Sequence, residues 1–140
     1  MNDKSFLDTN ILVYAYDKHE QGKQKKAQSL LKESIQNDNA VLSTQVLGEF
    51  FCVVTKHIKE PMSVDEAHEI IKKFSIMHVV EIDLALVNRA IDTHKKYQIS
   101  YWDSLIIAAA ERADCEKIFS EDFNSGQQYH SVLTINPFKS

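Results

Sequence analysis

Four carboxylate side chains occupy positions where an acid is either costly or well placed for chemistry. Asp8 and Asp122 each follow a short apolar segment with the composition of a buried strand. In open α/β sheets, ligands bind just beyond the carboxyl ends of the strands. Glu49 and Asp103 lie on the apolar stripes of segments with helical periodicity, where a charge is unfavourable unless it is paired or binds a cation. These four residues are therefore the candidate catalytic residues and metal ligands.

Each acid also has a purely structural explanation, and the local sequence does not choose between the two. Asp8 can cap the helix that follows it, and Asp122 can be a turn residue before a glycine. Glu49 can lie at the rim of its stripe and extend to water. Asp103 can be the acidic member of a capping box that begins at Ser100.

If the four acids converge, they require a cation. Two like charges about 4 Å apart repel by about 4 kcal/mol at an effective dielectric constant of about 20. Ligand sets of oxygen atoms, without Cys or His, favour Mg²⁺ or Mn²⁺ over zinc, and Mg²⁺ bound in this way commonly keeps waters and meets substrate phosphates. The chemistry indicated is metal-assisted hydrolysis of a phosphodiester, in which bound water becomes the nucleophile and the leaving oxygen is stabilised.

The elements that must position these acids alternate along the chain. Five short apolar segments predict strands at 5–8, 40–43, 77–80, 117–120 and 132–135. Segments with helical periodicity predict helices at 11–17, 23–36, 44–57, 63–74, 84–97 and 102–113. Strands that are apolar at nearly every position are typical of parallel sheets covered on both faces. The predicted fold is an α/β three-layer sandwich, with a central parallel sheet of about five strands and helices on both faces.

The composition excludes several other classes of protein. The three glycines stand far apart, at positions 22, 48 and 126, so the clustered glycines of a P-loop or a dinucleotide-binding loop are missing. Two cysteines form neither a disulfide framework nor a Cys-rich zinc site. The formal net charge of −4 lacks the strongly basic character of many nucleic-acid-binding domains.

The length and hydropathy of the chain indicate one domain away from membranes. A chain of 140 residues has the usual size of a single domain, and we expect one domain over 1–140. No apolar run approaches the roughly 20 residues that span a bilayer, and the N-terminus leads to no apolar signal-peptide stretch. A cytoplasmic location is therefore expected.

One stretch of the chain is rich in lysine. Five lysines fall between positions 18 and 32, where Glu20 is the only acid. A solvated helix face is the simpler interpretation. Contact with RNA phosphates is the alternative, and it would use Lys23, Lys25 and Lys26.

Other conspicuous side chains receive structural interpretations. The six histidines show no metal-binding spacing and are interpreted as solvated or packed. Trp102, which precedes Asp103, is interpreted as a packing aromatic at the start of its helix, with stacking on a nucleobase as the alternative. Glu121, which precedes Asp122, is expected to point into solvent.

Four segments of this sequence together resemble the PIN-domain family, and within it the VapC toxins of bacterial toxin–antitoxin pairs. They are FLDTN at 6–10, GEF at 48–50, YWDSLIIAA at 101–109 and SEDF at 120–123. The likeness extends over essentially the whole chain, to the closing residues 136–138. The first and third segments are specific in combination, whereas the single Glu of the second is a weak signal alone.

The resemblance implies a fold, a site and partners. Asp8, Glu49, Asp103 and Asp122 match the four acids that form the family's metal site, which implies Mg²⁺, or Mn²⁺ in its place, as cofactor. Thr9 and Ser104 match the hydroxyl residues beside two of those acids and are expected to support the ligands. The implied activity is an endoribonuclease acting on RNA, in a homodimer whose acidic cleft is blocked by a protein antitoxin.

Two other classes of function remain as alternatives. A receiver-like or phosphatase domain would use Asp8 as a phosphate acceptor. Aspartyl phosphatases need a second Asp two residues after the first, and this chain has Asn10 there. A receiver needs paired acids near the N-terminus, and this chain has Asp3 alone. A catalytically silent PIN-fold binding module would keep the fold without the chemistry, and the presence of all four acids argues against it.

Overall fold

Six strands and six helices make up the computed structural model, which describes residues 3–139. The strands are β1 (Ser5–Leu7), β2 (Ala40–Ser43), β3 (His78–Val80), β4 (Lys117–Phe119), β5 (Gln128–Tyr129) and β6 (Val132–Ile135). The helices are α1 (Thr9–Tyr16), α2 (Gln21–Gln36), α3 (Thr44–Lys56), α4 (Val64–Phe74), α5 (Leu84–Tyr97) and α6 (Tyr101–Arg112).

All six strands belong to one sheet, in the order β3-β2-β1-β4-β6-β5. Every neighbouring pair is parallel except β5 and β6, which are antiparallel. Every residue of β1 and β2 is buried. Because successive side chains of a strand point to opposite faces, complete burial means that both faces of the sheet are covered. The α/β fold with a mostly parallel central sheet, predicted from the sequence, is confirmed.

The strand order places a topological switch point between β1 and β4. From β1 the chain runs to β2 and then β3 on one side, and it later returns to β4 on the other side of β1. The connections that leave β1 and β4 therefore diverge, and a crevice opens at their carboxyl ends. Such a crevice is the general ligand-binding position of open α/β sheets.

Short polar side chains begin most of the helices. Five of the six helices in the described chain have an N-cap side chain that accepts a hydrogen bond from a backbone N–H of the first turn; these caps are Asp8, Ser43, Ser63, Asp83 and Ser100. Such a cap satisfies one of the N–H groups that the helix leaves unpaired. The cap at Asp8 starts α1 at Thr9, two residues before the predicted start.

The two-residue strand β5 was not predicted from the sequence. It pairs with β6 through Gln128↔Leu133 and Tyr129↔Val132, and the connection contains His130 at a φ of 54°. Two residues are too few to show the period-two alternation that indicates a strand. The prediction of about five strands therefore gave the parallel part of the sheet and omitted its antiparallel edge.

No helix in residues 3–139 is both long and apolar enough to cross a membrane.

We expect the central strand β4 to contribute strongly to stability. Ile118 is fully buried between β1 and β6, so Ile118→Ala should lower the free energy of unfolding by about 2–5 kcal/mol. Leu133→Ala on the neighbouring strand is the control, since Leu133 is 36% exposed and its truncation should cost far less. Urea denaturation of both variants measures the difference, and equal losses would contradict this account of the core.

Candidate active site

The four predicted acids line one cleft, of about 1050 Å³, at the switch point. Asp8 follows β1 and caps α1. Asp122 lies in the loop after β4. Glu49 comes from the middle of α3, and Asp103 comes from the first turn of α6. Residues that are far apart in the sequence are thus brought together by four different elements.

Asp8 is the buried member of the group, with 5% of its surface exposed. Its Oδ2 accepts a hydrogen bond of 2.6 Å from the hydroxyl of Ser120, and its Oδ1 accepts one of 2.7 Å from the backbone N–H of Thr9. Ser120 is itself fully buried, and its Oγ also accepts from the backbone N–H of Asp122 at 3.1 Å. One hydroxyl therefore connects the acid after β1 to the acid after β4.

Two polar side chains of α1 donate hydrogen bonds to Glu49 and Asp122. The hydroxyl of Thr9 donates to Glu49 Oε1 at 2.8 Å. The amide of Asn10 donates to Asp122 Oδ2 at 3.1 Å. Since Thr9 and Asn10 directly follow Asp8 in the sequence, the first turn of α1 arranges three of the four acids.

The electrostatics show a surplus of negative charge in the cleft. The pKa of Asp8 is raised from 3.8 to about 7, chiefly by burial and also by the charges of Asp122 and Glu49, against the lowering effect of the hydrogen bonds from Ser120 and Thr9. Burial also raises the pKa of Asp103, and Asp122 and Glu49 again add to the effect. Desolvation and like charge both disfavour the ionised form of a carboxyl group.

The donor set has the chemistry of a site for a hard cation. All four side chains offer oxygen atoms, the ligands that Mg²⁺ and Mn²⁺ take in proteins. In residues 3–139, no three Asp, Glu, His or Cys side chains are close enough together to enclose an ion without movement. The residue types therefore fit such an ion, which would offset the repulsion between the carboxylates.

Of the two hydroxyl residues that were expected to support the acids, Thr9 bonds to an acid side chain and Ser104 bonds to a backbone carbonyl. Thr9 contacts Glu49, as described above. Ser104 is fully buried, and its hydroxyl donates to the carbonyl of Ser100 at 2.8 Å. The backbone N–H of Asp103 donates to the Ser100 hydroxyl at 3.0 Å, so Ser100 is the N-cap of this helix, as one half of the capping-box interpretation requires. Asp103 lines the cleft from a capped helix start.

The lysine stretch meets the site at one point. Lys23 Nζ donates to Glu121 Oε2 at 3.0 Å and to the Tyr14 hydroxyl at 3.2 Å, and that hydroxyl donates to Glu121 Oε1 at 2.6 Å. These hydrogen bonds raise the pKa of Lys23. Lys25 and Lys26 are exposed on α2 and do not line the cleft. A phosphate-binding role for the three lysines stays a prediction, and for Lys23 it would compete with Glu121.

Sequence reasoning missed three contributors to the site. Asn10 and Ser120 carry no charge and gave no signal except their closeness to Asp8 and Asp122. Glu121 was expected to be solvated, but it forms the ion pair with Lys23, and its backbone N–H donates to Asn10 Oδ1 at 3.3 Å. Its partners lie about 100 residues away in the sequence, so no local pattern could reveal them.

Acidic and apolar side chains share the remaining wall of the cleft. Its apolar side is formed by Val13, Cys52, Val53, Ile58, Trp102 and Ile106. Asp17 and Glu20 add two further acids near the end of α1 and the start of α2. Among the described residues that line the cleft, none is Lys or Arg.

The raised pKa of Asp8 predicts how the stability of the metal-free protein depends on pH. The carboxyl group holds its proton more tightly in the folded state, so the unfolded state binds fewer protons between about pH 4 and pH 7. The free energy of unfolding in EDTA should therefore fall by up to about 4 kcal/mol as the pH rises through this window. Denaturation at a series of pH values measures this slope.

A neutral isostere provides the comparison for the pH dependence. Asp8→Asn removes the titrating group, so its stability should change less between pH 4 and pH 7 than that of the wild type. Glu116→Gln, which replaces an exposed acid outside the cleft, should keep the wild-type slope. Equal slopes in all three proteins would show that Asp8 does not titrate in this range.

Comparisons with known proteins agree with this architecture. The sequence finds no match among curated proteins. A VapC toxin of Mycobacterium tuberculosis that cleaves the sarcin–ricin loop has a similar structure, with a TM-score of 0.69, 15% identity, and coverage of 85% of this chain and 90% of that chain. A toxin–antitoxin complex from Klebsiella pneumoniae contains a chain with a TM-score of 0.70 and 15% identity, with 96% of this chain and 98% of that chain covered. A VapBC complex of Rickettsia felis, bound to a DNA fragment from its promoter, gives a TM-score of 0.65, 18% identity, and coverage of 93% and 96%.

At these identities the structural likeness concerns the fold, while the family follows from the sequence itself. A model of the PIN domain matches residues 5–127. The match includes β1 and β4, the four acids and the polar residues that hold them. The chain belongs to the PIN-domain family.

Proposed function

We propose that this protein is a metal-dependent endoribonuclease that hydrolyses RNA phosphodiester bonds and serves as the toxin of a type II toxin–antitoxin pair. The observation that carries the proposal is the convergence of four carboxylates from separate elements on one cleft, where burial and like charge raise the pKa of Asp8 and Asp103. Such a cluster of acids lowers the stability of the fold, as functional sites commonly do, and this cost is the reason to assign it a function.

The proposed roles follow from the contacts of each side chain. Asp8, Glu49, Asp103 and Asp122 hold Mg²⁺, with Mn²⁺ able to replace it. When bound, such an ion lowers the pKa of water and stabilises charge on a leaving oxygen. Water is the nucleophile, and no covalent intermediate with the protein is needed.

The neighbouring polar groups keep the carboxylates in position for this chemistry. Thr9 orients Glu49, and Asn10 orients Asp122, through the hydrogen bonds at 2.8 and 3.1 Å. Ser120 gives Asp8 a fixed donor in a buried place. Loss of such supporting partners typically lowers metal affinity or activity by about 10–100-fold.

The proposed partners are RNA, a protein antitoxin and a second copy of the chain. The Mycobacterium tuberculosis protein described above is a toxin that cleaves the sarcin–ricin loop, and the Klebsiella pneumoniae structure is a toxin–antitoxin complex. An acidic cleft with an apolar wall is complementary to a basic segment with apolar residues, the chemistry expected of an inhibitor that blocks it. In this proposal the chain is a single catalytic domain that works as a homodimer in the cytoplasm.

The contacts of Asp8 favour the nuclease over a phosphate-accepting domain. Both of its carboxylate oxygens accept hydrogen bonds, and only 5% of its surface is exposed. An oxygen that attacks phosphorus must approach it freely, whereas a carboxylate oxygen with one hydrogen bond keeps a second lone pair with which it can bind an ion. A silent binding module would share the fold, and the measurements below separate it from an enzyme.

The first test of this function is cleavage of RNA. Purified protein with Mn²⁺ or Mg²⁺ should cut RNA internally, and EDTA should abolish the activity because nothing then lowers the pKa of the attacking water or stabilises the leaving oxygen. Gel analysis of end-labelled RNA measures the products. Full activity in EDTA would overturn the metal mechanism, whereas cleavage of DNA alone would overturn the toxin assignment.

The second test separates a metal ligand from a helix cap at Asp103. In EDTA, Asp103→Asn should melt at the same temperature as the wild type or higher, because it removes one of the repelling charges. Saturating Mn²⁺ should stabilise the wild type by RT ln(1 + [L]/Kd), about 2.7 kcal/mol at 100 times Kd. This gain should shrink in Asp103→Asn, and cleavage should vanish.

Glu20→Gln is the matched control for Asp103, because Glu20 lines the same cleft but makes no side-chain cap for α2. It should keep both cleavage and the Mn²⁺-induced rise in melting temperature. If Asp103→Asn behaves in the same way as Glu20→Gln, Asp103 is an acid of the first turn that favours the helix and is not a metal ligand.

A further inference from the structure

Trp102 is exposed on the wall of the cleft, although the sequence indicated a packing aromatic. Its exposed fraction is 61%, and it lines the cleft together with Asp103. Burial of an aromatic side chain is among the largest gains available to a fold. A tryptophan left open beside a catalytic cleft is therefore available to a ligand.

The backbone and one neighbour fix the place of this side chain. The Trp102 carbonyl accepts a hydrogen bond of 3.2 Å from Gln45 Nε2 of α3. The indole meets the ring of Tyr101 at 78°, with 5.0 Å between centroids. This edge-to-face contact covers a limited part of the indole, so most of the ring remains accessible.

The position of the indole relates it to the reacting phosphate. Trp102 and Asp103 are consecutive residues of the first turn of α6, so their Cα atoms are about 3.8 Å apart. If a phosphate is held at the acids, as the proposed nuclease requires, a nucleotide next to that phosphate lies beside the indole.

The charge of the cleft strengthens the case for base stacking. None of the described lining residues is Lys or Arg, so the cleft offers neither of these side chains to the RNA backbone. Proteins that bind single strands combine such charges with aromatic side chains on which bases stack. Tyr14 and His57 also line the cleft, but the ring of Tyr14 packs edge-on against Phe138 and its hydroxyl donates to Glu121. Trp102 has the largest aromatic surface of the three and is the one that adjoins Asp103.

We propose that Trp102 stacks on an unpaired nucleobase next to the scissile phosphate. This inference rests on the proposed nuclease function and adds a substrate-binding residue to it. Bases inside a duplex are stacked on one another and are not free to meet an indole. If Trp102 is instead a contact for a protein partner, its removal should leave cleavage of RNA by the isolated protein unchanged.

The kinetic test compares two substitutions at this position. Trp102→Ala should lower kcat/KM for a short single-stranded RNA by about 5- to 150-fold, the effect of removing one stacked base, whereas Trp102→Phe should retain most of the activity. Leu84→Ala is the control, since Leu84 is 74% exposed and does not line the cleft. Equal kcat/KM in Trp102→Ala and the wild type would overturn the proposal and leave the nuclease function intact.

An altered substrate tests the same contact from the RNA side. An abasic nucleotide next to the cut site should lower kcat/KM of the wild type by the factor seen for Trp102→Ala. In Trp102→Ala the abasic nucleotide should have little further effect, because the two changes remove one interaction. Independent, multiplicative losses would show that the base and Trp102 do not meet.

Fluorescence provides a reading that does not depend on cleavage. Trp102 is the only tryptophan of the chain, so its emission reports on this position alone. With Mg²⁺, a single-stranded phosphorothioate RNA should quench the emission, and the same strand in a duplex should quench it much less. No quenching, or equal quenching by strand and duplex, would refute stacking; a protein that quenches with RNA but cuts none would refute the nuclease function instead.

Discussion

The burial of the Asp8 carboxyl group next to other acids is the constraint on which the site depends. Asp8 lies at the end of a strand whose residues are all buried, and it shares its surroundings with the charges of Asp122 and Glu49. Desolvation and repulsion both oppose its ionisation, so the site holds electrostatic energy that a bound cation releases. The hydrogen bonds that the acids accept from neighbouring polar groups partly offset this desolvation and repulsion.

The groups that stabilise the site acids by hydrogen bonds are neutral donors and not cations. Ser120, Thr9 and Asn10 each give a hydrogen bond to a different acid, which favours the ionised carboxylates without cancelling their charge. Lys23 is instead paired with Glu121, one residue before Asp122. The lysine therefore neutralises an acid beside the site and makes no ion pair with the four site acids.

The sequence predicted the parallel sheet and the four acids because both leave strong local signals. Apolar runs marked β1, β2 and β4, and an acid after a buried strand or on an apolar stripe is easily noticed. The edge strand β5 and the support from Asn10 and Ser120 were missed because two residues show no periodicity and neutral polar residues show no cost. Trp102 was misinterpreted for a related reason: helix periodicity places a side chain on a face, but whether another element covers that face is decided by tertiary packing.

The pairing of β1 with β4 also sets the order in which the site can be assembled during synthesis. The hydrogen bond from Ser120 to Asp8 joins residues 112 positions apart, and the parallel register of β1 aligns Ser5 with Lys117. Contacts of this separation form late, since the intervening chain must first be made and its loop entropy overcome. A nascent chain that has reached only α5 contains Asp8 and Glu49 but not β4, Asp103 or Asp122. The growing polypeptide therefore passes through most of its translation without a complete acidic centre, and the four acids can meet only after β4 and the loop that carries Asp122 have left the ribosome.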